Sequence, residues 1–152
     1  MIPATTERVE GNTNEAIIEQ IEQDMVRDIA SVVQRDEIDI RLKELDEEWD
    51  IERALETNAA CISLFGLGLG ALFDRRLFVI PAVVAGFLLQ HAIQGWCPPV
   101  PVLRRLGVRT SREIETERYA LKVIRGDFEG YLKADETLTE QRIRTILEIV
   151  RR

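Results

Sequence analysis

Two apolar runs separated by three charged residues constrain this chain more than any other feature. Residues 59–73 read AACISLFGLGLGALF, residues 77–93 read LFVIPAVVAGFLLQHAI, and only Asp74-Arg75-Arg76 stands between them. At 15 and 17 residues, the runs lie at or just under the roughly 17 that a spanning helix needs. Both are apolar around the whole helical circumference, which fits lipid or a deep core and not the surface of a small soluble domain. A three-residue connector forces the runs to lie antiparallel and both flanks to emerge on one side. Trp96 closes the second run as an interfacial aromatic would, and Arg104, Arg105, Arg109 and Arg112 follow it. These features predict an all-α chain with a transmembrane helical hairpin over 58–95, helices at 58–73 and 77–95 and a turn at 74–76. The competing expectation is a soluble helical bundle with a buried hairpin.

Charge sets the orientation. Near the run ends the flanks carry Arg41, Lys43, Arg53, Arg104, Arg105, Arg109 and Arg112, against Arg75 and Arg76 at the turn. The positive-inside rule therefore places both termini in the cytoplasm, and a bacterial inner membrane is the expected location. The flanks themselves differ in sign. Residues 1–57 hold 17 acids against 6 Lys/Arg, whereas residues 95–152 hold 9 acids against 12. An acidic arm beside a basic one predicts mutual attraction across a shared space. The excess of acid also argues against nucleic acid as a partner of the N-terminal half.

The flanks read as helix. Ile18, Ile21, Met25, Ile29 and Val32 form one apolar stripe and Ile38, Leu42, Leu45 and Trp49 another. Residues 1–13 are expected as a flexible N-terminus, 14–57 as an acidic cytoplasmic arm and 96–152 as a basic one, both arms amphipathic and helical. No Gly or Pro interrupts residues 12–65, so the second stripe is expected to run directly into the first apolar helix. Thr110 with Glu113, and Thr137 with Glu140, have capping-box spacing, and Gly126 and Gly130 break the segment between them. Arg125-Gly126-Asp127 is read as that helix break and not as an adhesion tripeptide.

Small residues suggest how the runs associate. Ala59, Ser63, Gly66 and Gly70 recur at helical spacing, Gly66 and Gly70 forming a GxxxG, and Ala82 with Gly86 makes a second small pair. In lipid, close backbone approach at such residues is what brings helices together. The face suits hairpin closure or a homodimer. Folding the runs about Arg75 places Asn58, Gln90, His91 and Gln94 in one layer near the inner boundary, where their polar atoms are expected to satisfy one another. Cys61 and Cys97 fall at different depths, too far apart for a disulfide.

Chemistry is sparse. One histidine, no strand pattern and no clustered His/Cys spacing leave no catalytic triad, metal site or cofactor loop to assemble. GLGLG at Gly66–Gly70 is not a phosphate loop, since no strand precedes it and no Lys-Ser/Thr follows. The one candidate reactive group is the Cys97 thiol, which neighbouring Arg104 and Arg105 would favour as thiolate and the membrane edge would disfavour. Its place beyond the second run puts it within reach of a cytoplasmic reagent, unlike Cys61.

Asp50-Ile51-Glu52-Arg53 ahead of the first run, the glycine-rich run itself, Gly95-Trp96-Cys97-Pro98 at the exit, then Leu106-Gly107 and Thr110, resemble the YgaP-like transmembrane family of short bacterial membrane domains. The likeness covers about the middle third of the chain. It departs from the family pattern in a shorter linker between the helices and in lacking a Tyr after the Cys-Pro. Some members of that family are fused to a sulfur-carrying rhodanese domain, so the resemblance implies a possible sulfur-handling role for Cys97. No rhodanese loop is recognisable in this chain. The expected function is a non-catalytic, membrane-anchored helical interaction module whose partners are the bilayer and either a second copy or another protein, reached through the small-residue face or the cytoplasmic helices. The alternative is a thiol or sulfur accessory protein using Cys97.

Overall fold

The computed structural model describes residues 4–128, and every regular element among them is helical. The expected features at Gly130 and Thr137–Glu140 lie outside the described residues. Seven α-helices follow in order: α1 (Thr5–Gly11), α2 (Glu15–Arg35), α3 (Ile38–Glu47), α4 (Ile51–Leu72), α5 (Val79–Gln94), α6 (Val100–Arg105) and α7 (Ser111–Arg125), with a 3₁₀ turn, Arg75–Phe78, between α4 and α5.

Helices α4 and α5 carry the two apolar runs, and α4, and α5 together with the 3₁₀ turn before it, Arg75–Gln94, are long and apolar enough to cross a membrane. The first turns of α4 carry Glu52, Arg53 and Glu56, and its apolar part, residues 58–72, gives roughly 22 Å at about 1.5 Å per residue, short of a hydrocarbon core of about 30 Å. Asp50 starts α4 by accepting a hydrogen bond from the Arg53 amide at 2.7 Å, the usual N-cap device. That cap also ends the expected continuity with the preceding helix. Glu48 and Asp50 are extended, with ψ of 133° and 168°, so α3 and α4 are separate helices although no glycine or proline parts them. At the far end Asp74 accepts from the Arg76 amide at 2.8 Å and tightens the turn. Helix α5 stops at Gly95, whose φ of 71° lets its amide close back on the His91 carbonyl at 2.7 Å. Pro98 and Pro99 then prevent the helix from resuming.

The glycines of α4 settle how the pair packs. A Cβ on Gly66 would lie 2.9 Å from both Ile80 and Pro81, and one on Gly70 would lie 2.8 Å from the Phe78 ring. Helix α5 and the turn before it therefore occupy the Gly66–Gly70 face, leaving it no room for a second copy. Ala82 and Gly86 face outward, and nothing lies within 4 Å of where a Gly86 Cβ would be.

Beyond the pair, α2, α3 and α7 pack together around Val32, Leu42, Leu45, Ile114 and Leu121. The Thr110–Glu113 capping box is present at the start of α7, and Gly126, at φ 88°, ends it. Trp49, expected in the apolar stripe of α3, is instead half exposed, with the Arg53 guanidinium 4.4 Å above its ring. A second cluster, Val9, Ile51, Leu55, Cys97 and Val100, packs α1, the start of α4, the exit from α5 and α6 together at the inner end of the helix pair. Val9 brings a correction. The N-terminal stretch expected to be flexible contains α1, which docks on the end of α5. Arg8 donates to the Ala92 carbonyl at 2.8 Å and Asn12 to the Gln94 carbonyl at 3.1 Å. A helix end leaves such carbonyls without intrahelical partners, and a cation there also opposes the negative end of the dipole.

Candidate functional site

Cys97, the one reactive group the sequence suggested, sits in the junction cluster and is only 3% exposed. Val9, Ile51, Leu55 and Val100 surround it. Burial pushes its thiol above the usual range, only partly offset by the Val100 backbone. Neither arginine that was expected to favour the thiolate does so. Arg104 spends both terminal nitrogens on Glu113, at 2.6 Å each, and Arg105 is exposed. The expected accessibility of Cys97 is overturned, since it is buried, while Cys61 lies on the outer surface of α4. Both thiols are free.

The polar layer at the inner end of the pair also differs from expectation. Asn58 donates to the Ala54 carbonyl one turn earlier at 2.7 Å, and Gln90 reaches Gln94 at 3.5 Å. His91 is buried, yet neither of its ring nitrogens has a partner among the described residues, and the same is true of both Glu52 carboxylate oxygens.

The densest polar arrangement lies below the pair, in the bundle, and sequence reasoning did not find it. Glu117 on α7 is fully buried. It accepts from Arg41 of α3 at 2.8 Å and from Arg109, which also grips Glu48 through its Nε at 2.7 Å. The Arg109 carbonyl in turn accepts the Ile51 amide at 2.9 Å. One residue thus ties the bundle's ionic centre to the first turn of α4. A second centre is Arg104, 1% exposed, which holds Glu113, the Val108 carbonyl at 3.2 Å and the Thr13 hydroxyl at 3.2 Å. Thr110 completes it by donating to Glu10 at 3.1 Å. Burial alone would raise the Glu117 carboxyl, but Arg41 and Arg109 together hold it below the usual carboxylate range. Glu113 is likewise raised by burial and lowered more by Arg104 and the Thr110 backbone. The acid-against-base asymmetry of the two arms signalled only Arg109–Glu48 among these pairs; Arg104–Glu113 and Arg109–Glu117 lie within the basic arm, and Arg41–Glu117 runs the opposite way. What it did not convey is that they are buried.

Between α4 and α5 lies an open cavity of about 420 Å³, walled by Leu55, Ile62, Val83, Phe87, Cys97 and Pro98 among others. Among the described residues no group of three or more His, Cys, Asp or Glu side chains is placed to hold a metal ion. Glu113 and Glu117 are saturated by Arg104, Arg41 and Arg109. No family model, curated protein or solved structure matches the chain.

Proposed function

We propose that this protein is a membrane-anchored helical interaction module, with α4 and α5 as a transmembrane hairpin and the α2, α3 and α7 bundle on the cytoplasmic face with both termini. The observation that carries the reading is the apolar surface of the pair. Leu72 and Phe73 are about 80% exposed, Leu64, Phe65, Leu89 and Ile93 are mostly exposed, and only 6% of the most apolar stretch of Arg75–Gln94, the 3₁₀ turn with α5, is buried. A soluble domain rarely exposes so large a contiguous apolar patch, and no described element covers it, so the reading as a soluble bundle with a buried hairpin has no support. Orientation follows the arginine bias, and a bacterial inner membrane fits it.

Nothing in the surroundings of Cys97 favours the thiol-relay reading, which needs an accessible thiolate. Membrane fractionation tests the main reading: the chain is expected to stay with membranes through an alkaline carbonate wash and to need detergent for release. Recovery in the soluble fraction without detergent would overturn it. Labelling of native protein by a membrane-impermeant maleimide at Cys97, abolished in Cys97→Ser, would revive the relay.

A further inference from the structure

The bundle is open along one side. Between α2 and α7 runs a groove of about 350 Å³ lined by Ile18, Met25, Val26 and Thr116, with Glu22 and Arg112 on its rim. The two helices run in the same direction, since residues 18–26 of α2 meet 112–116 of α7 there, while Val32 and Leu121 share the core further on. Val33 and Val123 lie seven residues beyond Val26 and Thr116, on the same helical faces, and continue the apolar surface toward the end of α7. Val26 and Val123 are both 62% exposed, and no described element covers them.

The chain leaves α7 at the far end of this surface. Gly126, at φ 88°, turns it, and the Asp127 amide closes back on the Lys122 carbonyl at 3.1 Å. Residues 129–152 follow, and their sequence suits the groove in shape and charge. Ile143, Ile146, Leu147 and Val150 recur at the spacing of one helical face, after the Thr137–Glu140 pair with its capping-box spacing. Residues 141–152 carry four Arg against one Glu, whereas α2 presents the exposed carboxylates Glu15, Glu19 and Glu22 on the groove's side. Arg144 and Arg151 are seven residues apart on one flank of the stripe, the separation of Glu15 and Glu22 on α2. The connection is long enough: residues 129–136 can reach at most about 28 Å, against roughly 20 Å from Arg125 back to Arg112. A basic amphipathic helix from any chain would satisfy this surface, but a segment tethered to α7 is present at an effective concentration near millimolar.

We infer that residues 137–152 dock in the α2–α7 groove of their own chain as an amphipathic helix, the apolar stripe against Ile18, Met25 and Val26 and the arginines toward Glu15, Glu19 and Glu22, completing a four-helix bundle. Docking there does not depend on α4 and α5 crossing a membrane. The test is the labelling rate of single cysteines by a water-soluble maleimide, in the full chain with Cys61→Ser and Cys97→Ser. Within residues 4–128, Val26 in the groove and Ile40 on α3 are similarly exposed. Val26→Cys is nevertheless expected to label at least about tenfold more slowly than Ile40→Cys, because the tethered segment covers it. Ile146→Asp with Leu147→Asp, which leaves the core of the bundle untouched, should abolish that protection and leave Ile40→Cys unchanged. Equal rates at the two positions, or protection that the aspartates do not relieve, overturn the inference. Protection that fades on dilution also overturns it, since a second copy then occupies the groove.

Discussion

Where α4 meets α5 the contact is backbone against apolar side chain, Gly66 beneath Ile80 and Gly70 beneath Phe78; where α3 meets α7, Arg41 and Arg109 close on Glu117. The difference reflects the two solvents. In lipid there is no hydrophobic force between helices, so association comes from close packing, and small residues supply the closeness. In the bundle, burial of Leu45 and Leu121 supplies the drive, and the arginine–carboxylate centre adds a directional constraint. Such a centre contributes little net stability over an apolar substitute, yet losing one member is costly because the remaining charge stays buried.

The largest effect should therefore come from breaking the bundle's centre on one side only. Glu117→Ala leaves Arg41 and Arg109 facing an empty buried site and is expected to cost about 3–5 kcal/mol, read from denaturant unfolding in detergent. Replacing Arg41, Arg109 and Glu117 together by Met, Leu and Leu should recover most of that loss. If the triple variant is as unstable as Glu117→Ala, the centre has a stabilising role that apolar packing cannot replace, and the contrast with the helix pair becomes sharper still.

Acid probes the same contrast without mutation. The Glu113 and Glu117 carboxyls sit below their usual value near 4.5 in the folded protein. A group depressed by folding contributes stability that is complete above its unfolded pKa and lost as pH falls through the folded one. Bundle stability should hold above about pH 5 and decline progressively below the usual carboxyl value. The α4–α5 contact involves no titrating carboxylate and should persist. Tryptophan fluorescence reporting on Trp49, in a Trp96→Phe background, against thiol protection at Ser63→Cys, on the helical face of Gly66 and Gly70, in a Cys61→Ser, Cys97→Ser background separates the two regions. Parallel loss at both would refute their independence.

In the helix pair, Gly66→Ala places a methyl against Ile80 and Pro81 and should cost about 1–3 kcal/mol through overpacking. Gly86→Ala, with open space around it, should be close to neutral. The pair of variants can be compared by thermal melting followed by helical circular dichroism. Equal effects would mean that the outward face of α5 is also a packed interface, as in a second copy bound there.

Much of this division was legible in the residues. The apolar runs, the Asp74-Arg75-Arg76 turn, the Gly95 stop and the Thr110–Glu113 box each carry a local signal that needs no tertiary information. What escaped depends on contacts between distant parts of the chain. Helix α1 is seven residues long with one core side chain, Val9, too little for a helical period to register. Its docking is what closes over Cys97, so the burial of that thiol could not be inferred from its neighbours in sequence. Arg104 and Arg109 counted as juxtamembrane charges, and their turn inward depends on carboxylates presented by α3 and α7. The break at Glu48–Asp50 hid within an acidic run because a capping aspartate looks there like any other acid.

The smallest expected effect concerns His91, which has features of both regions: it is a polar side chain buried at the inner end of the helix pair, with no partner among the described residues for either ring nitrogen. In the bundle Glu113 and Glu117 are paired with buried arginines, so removing one leaves a charge stranded. Removing His91 strands nothing. His91→Leu keeps most of the volume and removes the unsatisfied nitrogens, and is expected to be neutral or to stabilise by about 1 kcal/mol. A thermal midpoint equal to or slightly above wild type is the expected result. A loss as large as that of Glu117→Ala would mean that the imidazole is engaged by a group outside residues 4–128 or by a bound molecule, and that the helix pair, like the bundle, is held by a polar centre.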